Sequence, residues 1–129
     1  MNKNELVALA LEARENSYSP YSGFKVGAAL LTKNGRVYKG CNIENGAFSP
    51  TNCAERTAVF SAVSDGEKDF SAIAVVGGAE EINAFCPPCG VCRQVLSEFC
   101  NADFEIHLFN GEEIKTFTLG ELLPEVFNL

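Results

Sequence analysis

The sequence lacks three features: a long apolar run, a basic leader and an excess of positive charge. Because no stretch of about 18 apolar residues occurs, a membrane-spanning helix is not expected. No basic segment is followed by an apolar run and a cleavage site, so no secretory signal is expected and a reducing, cytoplasmic compartment is the default. The formal net charge of -7 disfavours binding to a nucleic acid polymer, but not to a neutral small molecule.

Histidine is also scarce, whereas cysteine is not. The only histidine, His107, lies in a strand pattern, and we interpret it as structural. The six cysteines are Cys41, Cys53, Cys86, Cys89, Cys92 and Cys100. Buried thiols or disulfides are the simplest interpretations, but disulfides fit poorly with a reducing compartment. Spaced cysteines in an intracellular chain are more often ligands or catalysts.

Hydrophobic periodicity predicts helices alternating with strands. Helices are predicted over residues 5–16, 53–64 and 89–99, followed by a short one opened by a capping box at Thr118 and Glu121. Strands are predicted over residues 26–31, 36–42, 72–76, 104–109 and 113–118. The strand-helix-strand unit around the third helix should cross over right-handedly and give a parallel pair. We therefore predict an α/β fold, a three-layer α-β-α sandwich around a mixed sheet of about five strands, with one domain over residues 1–129.

Two short segments concentrate the reactive side chains. They are Cys53-Ala54-Glu55-Arg56 and Pro88-Cys89-Gly90-Val91-Cys92-Arg93. Cys89 and Cys92 have the spacing of one helical face, after a proline suited to open a helix, and Cys53 begins another helix. Helix N-termini favour thiolates, and zinc takes cysteine sulfur in tetrahedral geometry. We predict that these three cysteines hold one zinc ion and leave the fourth position for water, which makes the site catalytic.

A carboxylate and two arginines accompany the predicted ligands. Glu55, two residues after Cys53, is not a predicted ligand, and it is predicted to move protons for the water at the metal. The ligand-x-Glu and Pro-Cys-x-x-Cys segments match the arrangement in zinc-dependent base deaminases. Three thiolates leave a zinc site negatively charged, which disfavours formation of hydroxide. Arg56 and Arg93 are therefore expected to compensate by donating to thiolate sulfur.

Simpler interpretations stay open for each segment taken alone. Asn52 and Glu55 are three residues apart and could form only a capping box. Cys89 and Cys92 share a helical face with Leu96, so both thiols could belong to the core. The two half-motifs together in one short chain favour the metal site over a combination of these explanations.

Cys86 adds a further alternative. It could replace Cys89 as a ligand or complete a closed site of four cysteines, but Pro87-Pro88 separates it from the helix, and we leave it out. A non-catalytic structural zinc or iron-sulfur module could also use Cys86, Cys89 and Cys92. The bacterial ferredoxin pattern would then require a cysteine at position 96, where Leu96 stands.

Four segments together resemble the cytidine deaminase family, in its small, homotetrameric type with three cysteines at zinc. They are residues 19–28, 40–45, 53–56 and 88–94, and the resemblance runs from about Tyr18 to Leu123. It implies a zinc-dependent enzyme of pyrimidine salvage, with one zinc per subunit and active sites shared between subunits. The implied reaction is hydrolytic deamination of cytidine and deoxycytidine to uridine and deoxyuridine, with release of ammonia.

The resemblance also implies roles for the substrate-binding residues. Phe24 would stack on the pyrimidine ring, Asn42 and Glu44 would hydrogen-bond the ribose hydroxyls, and Ala54 would meet the base through its backbone. Phe127 would be a candidate for reaching a neighbouring subunit's pocket. From the residues alone, Phe24 could equally belong to the core and Asn42 to a turn.

Two departures from the family pattern affect details of the pocket. Phe48 stands where many relatives have tyrosine, and Cys86 is an additional thiol. A related alternative is a deaminase of a nucleoside antibiotic such as blasticidin S. That enzyme would share the zinc motifs without needing Asn42 and Glu44 to hold a ribose.

Overall fold

A mixed sheet of five strands forms the centre of the protein. A computed structural model describes residues 1–129. The strands are β1 (Lys25–Thr32), β2 (Val37–Cys41), β3 (Phe70–Gly78), β4 (Glu105–Phe109) and β5 (Ile114–Thr118). Their order across the sheet is β2-β1-β3-β4-β5, in which β3 and β4 are parallel and every other neighbouring pair is antiparallel. The predicted parallel pair is therefore confirmed.

Four helices accompany the sheet. They are α1 (Lys3–Arg14), α2 (Ala54–Ser64), α3 (Gly90–Phe99) and α4 (Leu119–Leu122). α1 begins two residues before its predicted start, because Asn2 and Glu5 form a capping box that satisfies the first backbone N–H groups. The capping box predicted for α4 is confirmed, with Thr118 and Glu121 as its members. None of the helices combines the length and apolar character needed to cross a bilayer.

The two faces of the sheet bury separate cores. Ile73 and Val75 of β3 pack in a cluster of 14 buried residues that includes side chains of α2, α3 and α4. Ala74 and Val76, on the other face, pack in a cluster of 7 buried residues with α1. Burying each large aliphatic side chain is worth about 1.5–3 kcal/mol. The predicted three-layer sandwich is confirmed, because successive residues of β3 face opposite helical layers.

The start of α2 lies directly against β2. A Cβ atom at Gly40 would collide with the backbone of Ala54 and Ala58, so only glycine allows the helix to approach this closely. The first turn of α2, which carries the Cys53-Ala54-Glu55-Arg56 segment, is thereby fixed to the sheet.

β3 is longer than predicted at its C-terminal end. The pattern predicts an end at Val76, but Gly77 and Gly78 still pair with β1. A Cβ atom at Gly77 would lie 2.7 Å from Sγ of Cys86 and 3.0 Å from Cε2 of Phe24. The bare strand surface at Gly77 thus lets the additional thiol and the aromatic ring pack side by side.

His107 is part of the sheet, as expected for a structural histidine. It lies on β4 with only 5% of its surface exposed. Its Nδ1 is 2.8 Å from Oγ1 of Thr116, its register partner on β5. The side chain therefore belongs to the β4-β5 contact.

Candidate metal centre and its neighbouring pocket

Three cysteine thiols converge where α2 and α3 begin. The Sγ atoms of Cys53, Cys89 and Cys92 all lie within 4.8 Å of one another. Those of Cys53 and Cys89 are 3.7 Å apart, and those of Cys89 and Cys92 are 3.5 Å apart. Sulfur ligands about 2.3 Å from one tetrahedral zinc ion would stand about 3.8 Å apart. The donor set and its spacing therefore fit zinc.

Two of these thiols occupy equivalent positions. Cys53 is the N-cap of α2 and Cys89 is the N-cap of α3. Both have an extended backbone, and neither side chain makes a capping hydrogen bond to its helix. Cys92 is the third residue of α3. Pro88 therefore precedes the cap instead of opening the first turn, since Cys89 is one residue outside the helix. Both helix N-termini point their partial positive charge towards the sulfurs.

The simpler explanations do not describe this arrangement. The N-cap of α2 is Cys53, not Asn52, and the Asn52 amide donates to Oγ1 of Thr57 at 3.2 Å. A capping box between Asn52 and Glu55 is therefore wrong. Cys92 is fully buried, but Cys89 is exposed, so the pair is not simply part of the core.

The thiols differ in their readiness to ionise. The pKa of Cys53 is lowered to about 5, first by the neighbouring Cys92 thiol and then by the Arg56 guanidinium. The pKa of Cys92 is raised, first by the neighbouring Cys53 sulfur and then by burial. Nη2 of Arg56 donates to Sγ of Cys53 at 3.2 Å, which is the predicted contact. Nε of Arg56 is buried without a hydrogen-bond partner.

Arg93 does not contact sulfur, and the prediction that it does is wrong. Its Nε donates to the carbonyl of Pro88 at 2.7 Å, and its Nη1 donates to the carbonyl of Leu122 at 2.7 Å. A residue that follows Cys92 by one position is rotated by about 100° around the helix, away from the sulfur face. Arg93 instead ties the turn before α3 to the C-terminal segment.

Glu55 is buried beside the thiol cluster. It is the second residue of α2 and only 4% of its surface is exposed. Burial, followed by the charge of Cys53, raises the pKa of its carboxyl group to about 7. A carboxyl group with such a pKa can both hold and release a proton near neutral pH.

Cys86 does not belong to the three-sulfur group. Burial, and then the charges of Glu55, Cys53 and Cys89, raise the pKa of its thiol to about 11. The thiol packs against Gly77 near the ring of Phe24. The structure thus keeps Cys86 protonated and apart, and it does not form a closed site of four cysteines.

Asn42 is held by three hydrogen bonds within the chain. Its Oδ1 accepts from the backbone N–H of Val26 at 2.9 Å and from the hydroxyl of Ser17. Its Nδ2 donates to the carbonyl of Phe24 at 2.8 Å. An amide oxygen accepts two hydrogen bonds and the amide nitrogen donates two. Asn42 therefore has one N–H left to donate.

Glu44 is held by the loop that precedes β1. Its Oε1 accepts from the backbone N–H groups of Tyr21 at 2.9 Å and Ser22 at 3.1 Å, and its Oε2 accepts from the Ser22 hydroxyl. The Ser22 hydroxyl, with the backbone N–H groups, lowers the pKa of this carboxyl group. One acceptor position remains on Oε2. A cavity of about 420 Å³ adjoins it, lined by Tyr21, Ser22, Glu44, Asn45, Phe48 and Thr51.

Of the other two predicted substrate-binding residues, Phe24 is exposed and Ala54 is buried. Phe24 is 42% exposed, which excludes the interpretation of this ring as a core residue. Ala54 is fully buried as the first residue of α2, between Cys53 and Glu55 in sequence. Ala54 therefore lies with the thiols. Phe24 lies with Asn42, because the side-chain amide of Asn42 donates to the backbone carbonyl of Phe24.

Ser17 and Ser22 are the residues that the sequence interpretation missed. They hold Asn42 and Glu44, whose positions are 25 and 22 residues away along the chain. The only signal was the density of serine in the loop, which indicates local turn bonding but no distant partner.

The comparisons with known proteins agree with this geometry. Residues 1–107 match the family described as the cytidine and deoxycytidylate deaminase zinc-binding region. A cytidine deaminase of Sporosarcina psychrophila is 51% identical over 129 residues, covering 99% of this chain and 93% of the relative. A cytidine deaminase of Halalkalibacterium halodurans is 50% identical over 128 residues, covering 98% of this chain and 95% of the relative.

A solved structure shows the same architecture. The crystal structure of cytidine deaminase from Burkholderia pseudomallei superposes with a TM-score of 0.91 at 45% sequence identity. The match covers 98% of this chain and 100% of that one. The likeness therefore extends over the sheet, the helices and the loops that carry both parts of the site.

Proposed function

This chain belongs to the cytidine and deoxycytidylate deaminase family, and from that premise we propose that it converts cytidine and deoxycytidine to uridine and deoxyuridine by zinc-dependent hydrolytic deamination. The observation that carries the proposal is the set of three sulfurs within 4.8 Å, beside the buried carboxyl of Glu55. Three protein ligands and a nearby acid-base group are the arrangement of a catalytic rather than a structural zinc site.

The cofactor is one zinc ion per chain, and the thiol cluster fits it. Cys53, Cys89 and Cys92 would hold the ion as thiolates. When bound, zinc supplies the Lewis acidity that makes water nucleophilic near neutral pH. Arg56 offsets part of the negative charge of the thiolates through its contact with Cys53.

Glu55 moves the protons of the reaction. Its carboxylate takes a proton from the attacking water and delivers it to N3 of the pyrimidine ring, while the oxygen adds to C4. Glu55 then transfers the remaining hydroxyl proton to the amino group, which leaves as ammonia. One water is consumed and one ammonia is released, and Glu55 returns to its starting state.

The neighbouring pocket holds the nucleoside. Phe24 stacks on the base, and the backbone of Ala54 contacts its polar edge. Asn42 offers one N–H and Glu44 one acceptor position. These groups suit the ribose hydroxyls, and the 3′-hydroxyl occurs in ribose and deoxyribose alike, which supports turnover of both nucleosides. A blasticidin S deaminase would not need this pair, so the antibiotic is not favoured as the substrate.

The exposed aromatic residues support a homotetramer with shared active sites. Phe48 is 72% exposed and Phe127 is 68% exposed. Phe48 also has a positive φ of 62°, a costly backbone conformation for an aromatic residue, and it projects beside Tyr21. Such apolar surface is typical of protein interfaces. Phe127 of one subunit would reach the pocket of its neighbour.

The free thiols and the proposed reaction support a cytoplasmic role in pyrimidine salvage. Six free thiols suit a reducing cytoplasm, and hydrolysis of a free nucleoside suits pyrimidine salvage. Residues 1–129 would act as one catalytic domain, with a nucleoside as the substrate and neither a nucleic acid polymer nor a membrane as a partner.

The direct test is incubation of the purified protein with cytidine, with ammonia release and the loss of cytidine absorbance as readouts. We expect both signals to stop when a zinc chelator is added and to return when zinc is restored. Size-exclusion chromatography with light scattering measures the assembly. Absence of ammonia release from the zinc-loaded protein would contradict the proposed activity.

A further inference from the structure

The hydroxyl of Ser22 lies between the two residues proposed to hold opposite ends of the nucleoside. It donates to Oε2 of Glu44 and accepts the backbone N–H of Phe24 at 3.0 Å. The backbone N–H of Ser22 also donates to Oε1 of Glu44 at 3.1 Å. Ser22 is the one side chain that hydrogen-bonds both the Glu44 carboxylate and Phe24.

The ring of Phe24 is only partly enclosed. The side chain is 42% exposed, and it packs at the bare backbone of Gly77, as the Cys86 thiol does. Its main chain also sets its position, because the N–H is bound by Ser22 and the carbonyl is bound by Asn42. Of these two side chains, Asn42 is itself a proposed sugar-binding residue, and Ser22 hydrogen-bonds the other one, Glu44.

We propose that Ser22 is a positioning residue that couples sugar recognition by Glu44 to base stacking by Phe24. This inference rests on the proposed function. A hydroxyl has one proton to donate, and here it is directed at a carboxylate, which makes a strong, charge-assisted hydrogen bond. The oxygen is then left to accept from Phe24. The sugar contact and the base contact are thereby prepared before the substrate arrives, which reduces the entropy lost on binding.

The coupling predicts a particular kinetic pattern. Loss of the hydroxyl should weaken binding of the nucleoside in the ground state and in the transition state alike, because Ser22 does not touch the reacting atoms. KM should therefore rise while kcat stays nearly unchanged. The preference for a nucleoside with a 3′-hydroxyl should fall, because Glu44 is no longer held in place.

The experiment compares Ser22→Ala and Ser22→Thr with Ser61→Ala, a change at an exposed serine of α2. The substrates are deoxycytidine and 2′,3′-dideoxycytidine, which differ only in the 3′-hydroxyl, and the latter is also measured as a competitive inhibitor. Zinc content and thermal unfolding are measured for each protein. We expect Ser22→Ala to raise KM for deoxycytidine by about tenfold and to reduce the preference for deoxycytidine by a similar factor. Ser22→Thr should restore most of both, and Ser61→Ala should match the wild type.

An unchanged KM in Ser22→Ala, or an equal loss for the two nucleosides, would overturn the coupling. If Ser22→Ala lowers the unfolding temperature, the same change is made in a Glu44→Gln background. A smaller effect of Ser22→Ala there supports the coupling, and additive effects overturn it. Failure of the proposed function would be recognised separately, because the wild-type protein would release no ammonia from cytidine.

Discussion

The sulfur end and the sugar end of the site are held together in different ways. The sulfur end consists of Cys53, Glu55, Arg56, Cys89 and Cys92, and the sugar end of Ser17, Ser22, Phe24, Asn42 and Glu44. At the sulfur end, thiols face one another, a carboxyl group is buried, and Nε of Arg56 has no partner. At the sugar end, the side chains of Asn42 and Glu44 together accept or donate six hydrogen bonds within the chain.

This difference separates two kinds of preorganisation. The sulfur end depends on an ion to hold its like-charged ligands together, since thiolates repel one another without a cation. The sugar end is organised by the chain itself and leaves one donor and one acceptor for the proposed contact with the sugar. Substitutions at the sulfur end should therefore affect zinc and chemistry, whereas those at the sugar end should affect affinity.

Glu55→Gln should have the largest effect. This variant separates the two roles of the sulfur end, which are metal binding and proton transfer. The amide cannot move protons, so kcat should fall by at least about 10²–10⁴-fold. Zinc content should stay at one ion per chain, because Glu55 is outside the three-sulfur group. Ammonia release and metal analysis measure both quantities. Normal turnover by this variant would exclude the proton-transfer role.

Cys92→Ala, compared with Cys86→Ala, tests which thiols belong to the sulfur end. Cys92→Ala removes a member of the cluster and should cost most of the bound zinc and the activity. Cys86→Ala should keep its zinc, because the Cys86 thiol packs at Gly77 instead. The measurements are metal content by mass spectrometry and folding by circular dichroism. Zinc loss in Cys86→Ala alone would reverse the assignment.

Arg56→Ala should have a smaller effect on the same end. Loss of its contact with Cys53 should weaken zinc affinity by about 10–100-fold and slow turnover. The matched control is Arg93→Ala, which loses bonds to two carbonyl groups and none to sulfur. It should lower the unfolding temperature and leave zinc affinity unchanged, as measured by chelator competition. Equal zinc affinity in Arg56→Ala and the wild type would contradict this role.

Acidification should produce the smallest effect, and it acts on the sugar end. The pKa of Glu44 is lower in the folded protein than its ordinary value of 4.5, so the unfolded chain binds this proton more readily. The stability contributed by the carboxylate is complete above pH 4.5 and is lost as the pH falls through the folded pKa. Urea unfolding of the wild type and Glu44→Gln measures the difference between them, which should shrink below pH 4.5. A constant difference would mean that the loop is not held by the charge. Acid effects on the thiols are common to both proteins and cancel.

The sulfur end was predictable from the sequence because its contacts are local. Cys89 and Cys92 are three residues apart, as are Cys53 and Arg56, and each pair meets across one helical turn. The turn after β1 is local in the same way, since Gly35 supplies the positive φ of 89° that it requires. The prediction that the two segments form one cluster depended on each of them lying at the start of a helix.

The contacts of the sugar end could not be read from spacing. Ser22 and Glu44 are 22 residues apart, and nothing in the loop specifies which carboxylate it faces. The predicted contact of Arg93 with sulfur was wrong for the same reason, because its partner Leu122 is 29 residues away. Local patterns predict helix and strand positions, but the partner of a long polar side chain depends on packing between distant elements.

The chain order of the two ends sets the order in which their residues leave the ribosome. Every residue of the sugar end precedes Cys53, whereas Cys53 and Cys89 are 36 positions apart, with all of β3 between them. A nascent chain therefore carries one of the three sulfurs until β3 has emerged, and domains are synthesised from the N-terminus onwards. A truncated translation product that ends before α3 lacks Cys92 and therefore cannot assemble the three-sulfur group.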